Sequence, residues 1–158
     1  LIPTAVYLRQ NRLFNRIFGF DSFQGFDRSI ETDLRLGGVD DCEKREGGFG
    51  QTSLSYVAER IRALGLHYFA PLKSGYFAST LSLTEERMYS FVHLDCDIYS
   101  SYQQCLAYFY PRVSYGGVIL FDEYNDPPWP GCNMAVDQFL AEYLEGLCRI
   151  ECDGYEKY

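Results

Sequence analysis

Three short apolar runs in this chain each end in carboxylates: "RIFGFD" at 16–21, "SFVHLDCD" at 90–97 and "GGVILFDEY" at 116–124. Between and after them lie stretches with helical character. In "TSLSYVAERIRALG" (52–65), Leu54, Val57, Ile61 and Leu64 recur at spacings of three and four, Thr52 or Ser53 can cap the start, and Gly65 can end it in a left-handed conformation. "SYQQCLAYFYPRV" (101–113) reads as a helix stopped near Pro111, "NMAVDQFLAEYLEG" (133–146) as another, and the first fifteen residues as a helix ending near Asn15. "LHYFAPLKSGYF" (66–77) reads as a strand with its exit loop, and "LCRIECDGYEKY" (147–158) starts like a strand. Strands alternating with helices imply an α/β fold with a mainly parallel sheet. In such sheets ligands sit beyond the carboxyl ends of the strands. The three acid-ended runs therefore put Asp21, then Asp95 with Asp97, then Asp122 with Glu123 on the edge where the site is built.

Size and composition fit one domain over 1–158: 158 residues, 47% hydrophobic and 17% aromatic, are enough for a real core. No apolar run approaches the roughly 18 residues of a membrane-spanning helix, and "LIPTAVYLRQNRLFNR" lacks the features of a signal peptide, so a cytoplasmic location is expected. The net charge of −8 disfavours nucleic acid and anionic membrane as partners. It leaves a small-molecule substrate, a cation and a homo-oligomer open. The six cysteines include no C-x-x-C pair, and with two histidines they supply a zinc site poorly; reduced, buried thiols are the expectation. Residues 23–51 are polar, rich in glycine and without periodicity, which is long for a plain connection and reads as a loop or lid.

Hard oxygen donors from neighbouring strand ends suit Mg²⁺ or Mn²⁺, and a divalent ion would relieve the mutual repulsion of the clustered acids. Asp95, Asp122 and Glu123 are the candidate ligands. Asp97, two residues after Asp95, shares its face if the strand continues, and could take a proton while Asp95 ligates. The plainer reading is that Asp97, Ser100 or Ser101 caps the helix that follows. An acid in the position of Asp21 commonly accepts ribose hydroxyls, although it also suits a turn ahead of Ser22 and Gly25. His93, inside an apolar run, reads as a core histidine. The local D-x-D of "LDCD" also fits a metal-dependent glycosyltransferase holding a nucleotide sugar, but that leaves "FDEY" and "FDSF" without a role.

Several blocks in order, "GFDSFQGF", "GYFASTL", "HLDCDIYSS", "AYFYPRVSYGGVILFDEY" and "GCNMAVDQF", resemble the macrocin O-methyltransferase family over about residues 16 to 146. The resemblance implies a Rossmann-like class I methyltransferase fold using S-adenosylmethionine and Mg²⁺ (or Mn²⁺) to methylate a hydroxyl of a sugar or sugar-bearing natural product. It makes Asp95, Asp122 and Glu123 metal ligands and Asp97 the general base. It assigns Asp21 and Ser22 to the cofactor ribose, and Gly75, Tyr76 and Phe77 to the adenine side. Two departures stand out: Glu123 occupies a position where the family usually has aspartate, and Ser79 replaces an aspartate in the "FASTL" block. The resemblance further implies that a first strand with a glycine-containing turn precedes residue 1 and that a closing hairpin belongs where the chain stops. The chain is therefore expected to be incomplete at both ends, and a non-catalytic remnant is the alternative to an enzyme.

Overall fold

The computed structural model describes residues 1–27, 31–36, 47–152 and 154–158. In chain order the elements are α1 (Ile2–Gln10), β1 (Gly19–Asp21), α2 (Glu31–Arg35), α3 (Leu54–Ala63), β2 (Leu72–Ser74), α4 (Phe77–Thr80), β3 (Tyr89–Leu94), α5 (Tyr99–Phe109), β4 (Val113–Phe121), α6 (Pro130–Glu142), β5 (Ile150–Cys152) and β6 (Tyr155–Lys157). They form two compact units, one of residues 1–26 and 47–83, the other of 27–46 and 84–158. The loop or lid expected over 23–51 lies partly outside the described residues, as does Cys42. Within that stretch Glu31–Arg35 is helical.

In the first unit β1 runs parallel to β2, with Gly19 opposite Leu72 and Asp21 opposite Ser74. Helix α3 starts and stops as its sequence requires. Ser53 Oγ accepts the Tyr56 N–H at 3.2 Å, and Gly65 takes φ +65°, the left-handed region that favours glycine. Of its apolar stripe, Ile61 is buried and Val57 packs beside it, joining Ala5, Leu66 and Ala70, while Leu54 and Leu64 stay exposed. The strand expected over 66–77 is much shorter than its apolar pattern. Ala70 N–H bonds the Leu66 carbonyl at 2.9 Å, a helical turn that buries both residues, and only Leu72–Ser74 is extended.

In the second unit β3 runs parallel to β4, with Phe91 to Leu94 opposite Val118 to Phe121. The register slips between Tyr89 and Phe91, and Gly116 at φ +74° absorbs the extra residues in β4. Within the apolar run, burial alternates along Phe91 to Leu94: Val92 and Leu94 are buried, whereas Phe91 is 49% exposed and His93 is exposed as well. One face of β3 carries the core with Tyr102, Cys105, Leu106 and Phe109 of α5, and α6 adds Cys132, Ala135 and Val136 to the buried set. The C-terminal segment is an antiparallel hairpin, β5 with β6. Its last residue pairs with the end of β4: Phe121 N–H bonds the Tyr158 carbonyl at 2.6 Å. Cys96, Cys105, Cys132 and Cys148 are free thiols. Among the described residues no helix is long and apolar enough to cross a membrane.

Helix α5 lacks a cap from its own sequence, and neither Asp97, Ser100 nor Ser101 supplies one. The cap comes from α2. Asp33, 4% exposed, accepts the Tyr99 N–H with both carboxylate oxygens, at 2.9 and 3.1 Å. A buried carboxylate is tolerable there because the helix N-terminus presents unpaired N–H groups and a positive dipole end. The same carboxylate lies against Gly131 so closely that a β-carbon at that position would overlap Asp33 Oδ1. Gly131→Ala is therefore expected to lower stability by about 1–3 kcal/mol. A thermal melt within 1–2 °C of the parent would show that Asp33 is not clamped there.

Candidate functional site

The parallel register sets the first cluster. Leu94 lies opposite Phe121, and the Asp122 N–H bonds the Leu94 carbonyl at 2.9 Å, so the residues just past both strands, Asp95 and Asp122 with Glu123, leave the sheet side by side. One ligand oxygen from each of Asp95, Asp122 and Glu123 falls within 4.8 Å of the others. Around a Mg²⁺ ion with bonds of about 2.1 Å, ligand oxygens lie at most about 4.2 Å apart, so the three carboxylates would have to close in slightly to share one. The donors are all hard oxygen atoms, the chemistry such an ion prefers.

Asp97 is not on an extension of β3. The strand stops at Leu94, and Asp97 sits at φ +60° inside a turn closed by the Ile98 N–H on the Cys96 carbonyl at 2.7 Å. Aspartate tolerates the left-handed region better than most residues, but such a turn is still uncommon and strained. The expectation that Asp95 and Asp97 share a strand face thus fails, although the two acids stay neighbours. Burial first, and then the charges of Asp95, Asp122, Asp33 and Asp126, push the Asp97 carboxyl up to about 7.

The three ligand candidates differ in environment. Glu123 is 4% exposed and accepts the Asp97 backbone N–H at 3.2 Å through Oε2, the oxygen that also meets the Tyr102 hydroxyl. Burial pushes Glu123 up to about 8, with Asp97 and Asp95 adding to the rise and the Tyr102 hydrogen bond opposing it. Tyr102 also reaches the Leu94 carbonyl at 3.0 Å. A phenol has one hydrogen, so both of these contacts are hydrogen bonds at once only when Glu123 carries a proton. Asp122 is different. Burial works to raise it, but hydrogen bonds from Lys157 and His93 outweigh that and hold it below the usual carboxylate value. Lys157 Nζ lies 2.7 Å from Asp122 Oδ2 and 2.8 Å from its carbonyl, and His93 Nε2 lies 3.2 Å from Oδ1.

His93 is therefore not a core histidine. The alternation of β3 puts it on the uncovered face, with its ring toward Asp122. Lys157, Tyr102 and Asp33 carried no signal in the sequence, since each acts across a distance that local pattern does not encode.

The second cluster belongs to the first unit. Asp21 ends β1, its Oδ1 accepts the Phe23 N–H at 2.7 Å, and its carbonyl accepts the Gly75 N–H at 2.9 Å. Ser22 Oγ donates to the Gly25 carbonyl at 2.9 Å and accepts the Gln24 N–H at 3.1 Å. Asp21, Ser22 and Gly75 to Phe77 thus meet at the carboxyl edge of the β1–β2 pair. Gly75 adopts φ +135°, and a β-carbon there would lie 2.7 Å from the Thr80 methyl, so both the backbone conformation and the close approach of Thr80 call for glycine.

A family model for macrocin O-methyltransferase (TylF) matches residues 4–151. The chain belongs to this family. A demethyldecarbamoylnovobiocin O-methyltransferase from Streptomyces niveus is 33% identical over 82 residues, a segment that is 51% of this chain and 30% of that protein. Two solved structures share the fold: the O-methyltransferase NovP, at TM-score 0.75 and 23% identity, and the calicheamicin methyltransferase CalS11, at 0.78 and 22%. Each alignment covers 98% of this chain, and 63% or 64% of the solved one. The chain thus spans less than two thirds of these relatives. The likeness shows the Rossmann-like methyltransferase fold expected from the sequence, and macrocin O-methyltransferase membership accords with the order of blocks from "GFDSFQGF" to "GCNMAVDQF".

Proposed function

We propose that this family member takes part in O-methyl transfer from S-adenosylmethionine to a hydroxyl of a sugar or sugar-bearing natural product, assisted by Mg²⁺ or Mn²⁺. The observation that carries the reading is the convergence of Asp95, Asp122 and Glu123 beside Asp97, in a chain of a methyltransferase family. The novobiocin and calicheamicin methyltransferases among its relatives support a small glycosylated acceptor. When bound, the cofactor supplies an electrophilic methyl group and the ion a Lewis acid that makes the acceptor hydroxyl more acidic.

The chain's own residues do the rest. Asp95, Asp122 and Glu123 hold the ion through carboxylate oxygens. Asp97 accepts the hydroxyl proton on its carboxylate as the oxygen takes the methyl group and the sulfur–methyl bond breaks. Asp21 and Ser22 bind the cofactor ribose, and Gly75 to Phe77 border its adenine. Holding acceptor and methyl group in line is where much of the rate would come from. A cytoplasmic setting suits this chemistry.

Calorimetric titration of the purified chain with S-adenosylhomocysteine, with and without Mg²⁺, tests the reading. Saturable binding of both is expected. A folded chain that binds neither would overturn it, and one that binds a nucleotide sugar instead would favour the glycosyltransferase alternative.

A further inference from the structure

We propose that Tyr102 is a positioning residue for the metal ligands, its buried hydroxyl donating to the ionised carboxylate of Glu123 and fixing it between the carboxyl ends of β3 and β4. The inference rests on the reading of the acidic cluster as a divalent-ion site. Tyr102 is fully buried in the first half of α5. Its ring needs no hydroxyl to pack: it is buried beside the Phe121 ring, where a phenylalanine would fill nearly the same space. Apart from the Cys132 thiol of α6, the contacts of the oxygen are at the site. It meets the Leu94 carbonyl at 3.0 Å, one residue before Asp95. It bonds Glu123 Oε2, and the Glu123 N–H lies 3.5 Å away. One buried atom therefore touches the backbone of both strands that deliver the ligands, and one ligand directly.

The pairing also accounts for glutamate at 123. Its carboxyl stands one carbon further from the chain than an aspartate's, about 1.5 Å, and that reach takes it into the buried layer where Tyr102 waits. Oε2 is engaged by Tyr102 and the Asp97 N–H, and the glutamate also hydrogen-bonds Asp95, the neighbouring ligand candidate. Ligating carboxylates depend on such outer partners, whose loss typically weakens metal affinity by about 10–100-fold.

The test is Mn²⁺ titration of the parent chain, Tyr102→Phe, Glu123→Asp and the double variant, each with a thermal melt. Tyr102→Phe is expected to raise the Mn²⁺ dissociation constant about 10–100-fold. Glu123→Asp, which leaves the buried ring untouched, is expected to raise it as well, and in that background the Phe substitution should add less than about threefold, because the partner is already gone. A lower melting temperature with an unchanged Mn²⁺ constant would make Tyr102 merely structural and overturn the proposal, as would effects that multiply in the double variant. Should Tyr102→Phe not fold, parent-like affinity in Glu123→Asp would overturn it. If the folded parent binds no Mn²⁺, the metal reading falls and this assignment with it; binding by the parent and equally by Tyr102→Phe removes this assignment alone.

Discussion

Asp97→Asn is expected to lower methyl-transfer turnover by about 10²–10⁴-fold while leaving S-adenosylhomocysteine and Mn²⁺ binding within a few-fold of the parent. The substitution removes the proton acceptor and little else. Asparagine adopts left-handed backbone at least as readily as aspartate, so the turn at φ +60° and the Asp97 backbone N–H to Glu123 both survive. The side chain loses a buried negative charge that Asp95, Asp122, Asp33 and Asp126 all repel. The variant should therefore be more stable than the parent at pH 8, a trade of stability for activity often seen where a site is strained. Paired measurement of turnover and melting temperature checks both halves. Undiminished turnover would remove Asp97 from the role of base. Lost turnover with lost Mn²⁺ binding would make it a ligand instead.

The edge on which these acids stand was legible from the chain alone, because it follows from alternation. An apolar run that ends in an acid and is followed by a helix has few places to go in an α/β fold. Asp95, Asp122 and Glu123 could be grouped on that ground, and their ligand oxygens do come together. The cap on α5 could not be foreseen. Its acceptor, Asp33, lies 66 residues away in sequence and leaves no local trace, whereas Asp97, Ser100 and Ser101 offered a simpler cap close by. Lys157 escaped for a similar reason. Only the pairing of Tyr158 with Phe121 brings it beside Asp122. His93 was misplaced because Phe91 to Leu94 looks uniformly apolar, whereas a strand covered on one face alternates by residue, and position 93 falls on the open side. Strand length was overestimated at 66–77 because buried residues in a helical turn and in a strand are equally apolar.

The acid cluster also dictates how the metal-free chain answers to pH. Asp97 near 7 and Glu123 near 8 hold protons that the unfolded chain releases near 4. Between those values the folded state binds more protons, so stability is greatest below about pH 4–5 for these two groups and is lost as pH rises toward 8. Asp122 acts in the opposite sense: held below its usual value by Lys157 and His93, it stabilises at neutral pH and gives that up in acid. Two raised groups outweigh one lowered one, so in chelator the melting temperature should fall by roughly 5–10 °C between pH 5 and pH 8. A divalent ion takes the place of those protons. Mg²⁺ should recover most of the loss at pH 8 and little at pH 5, and its binding at pH 7 should release protons, seen as a heat that scales with buffer ionisation enthalpy. A melting temperature that rises from pH 5 to pH 8 in chelator, or one that Mg²⁺ does not move at pH 8, would mean that Asp97 and Glu123 ionise freely and that no ion completes the cluster.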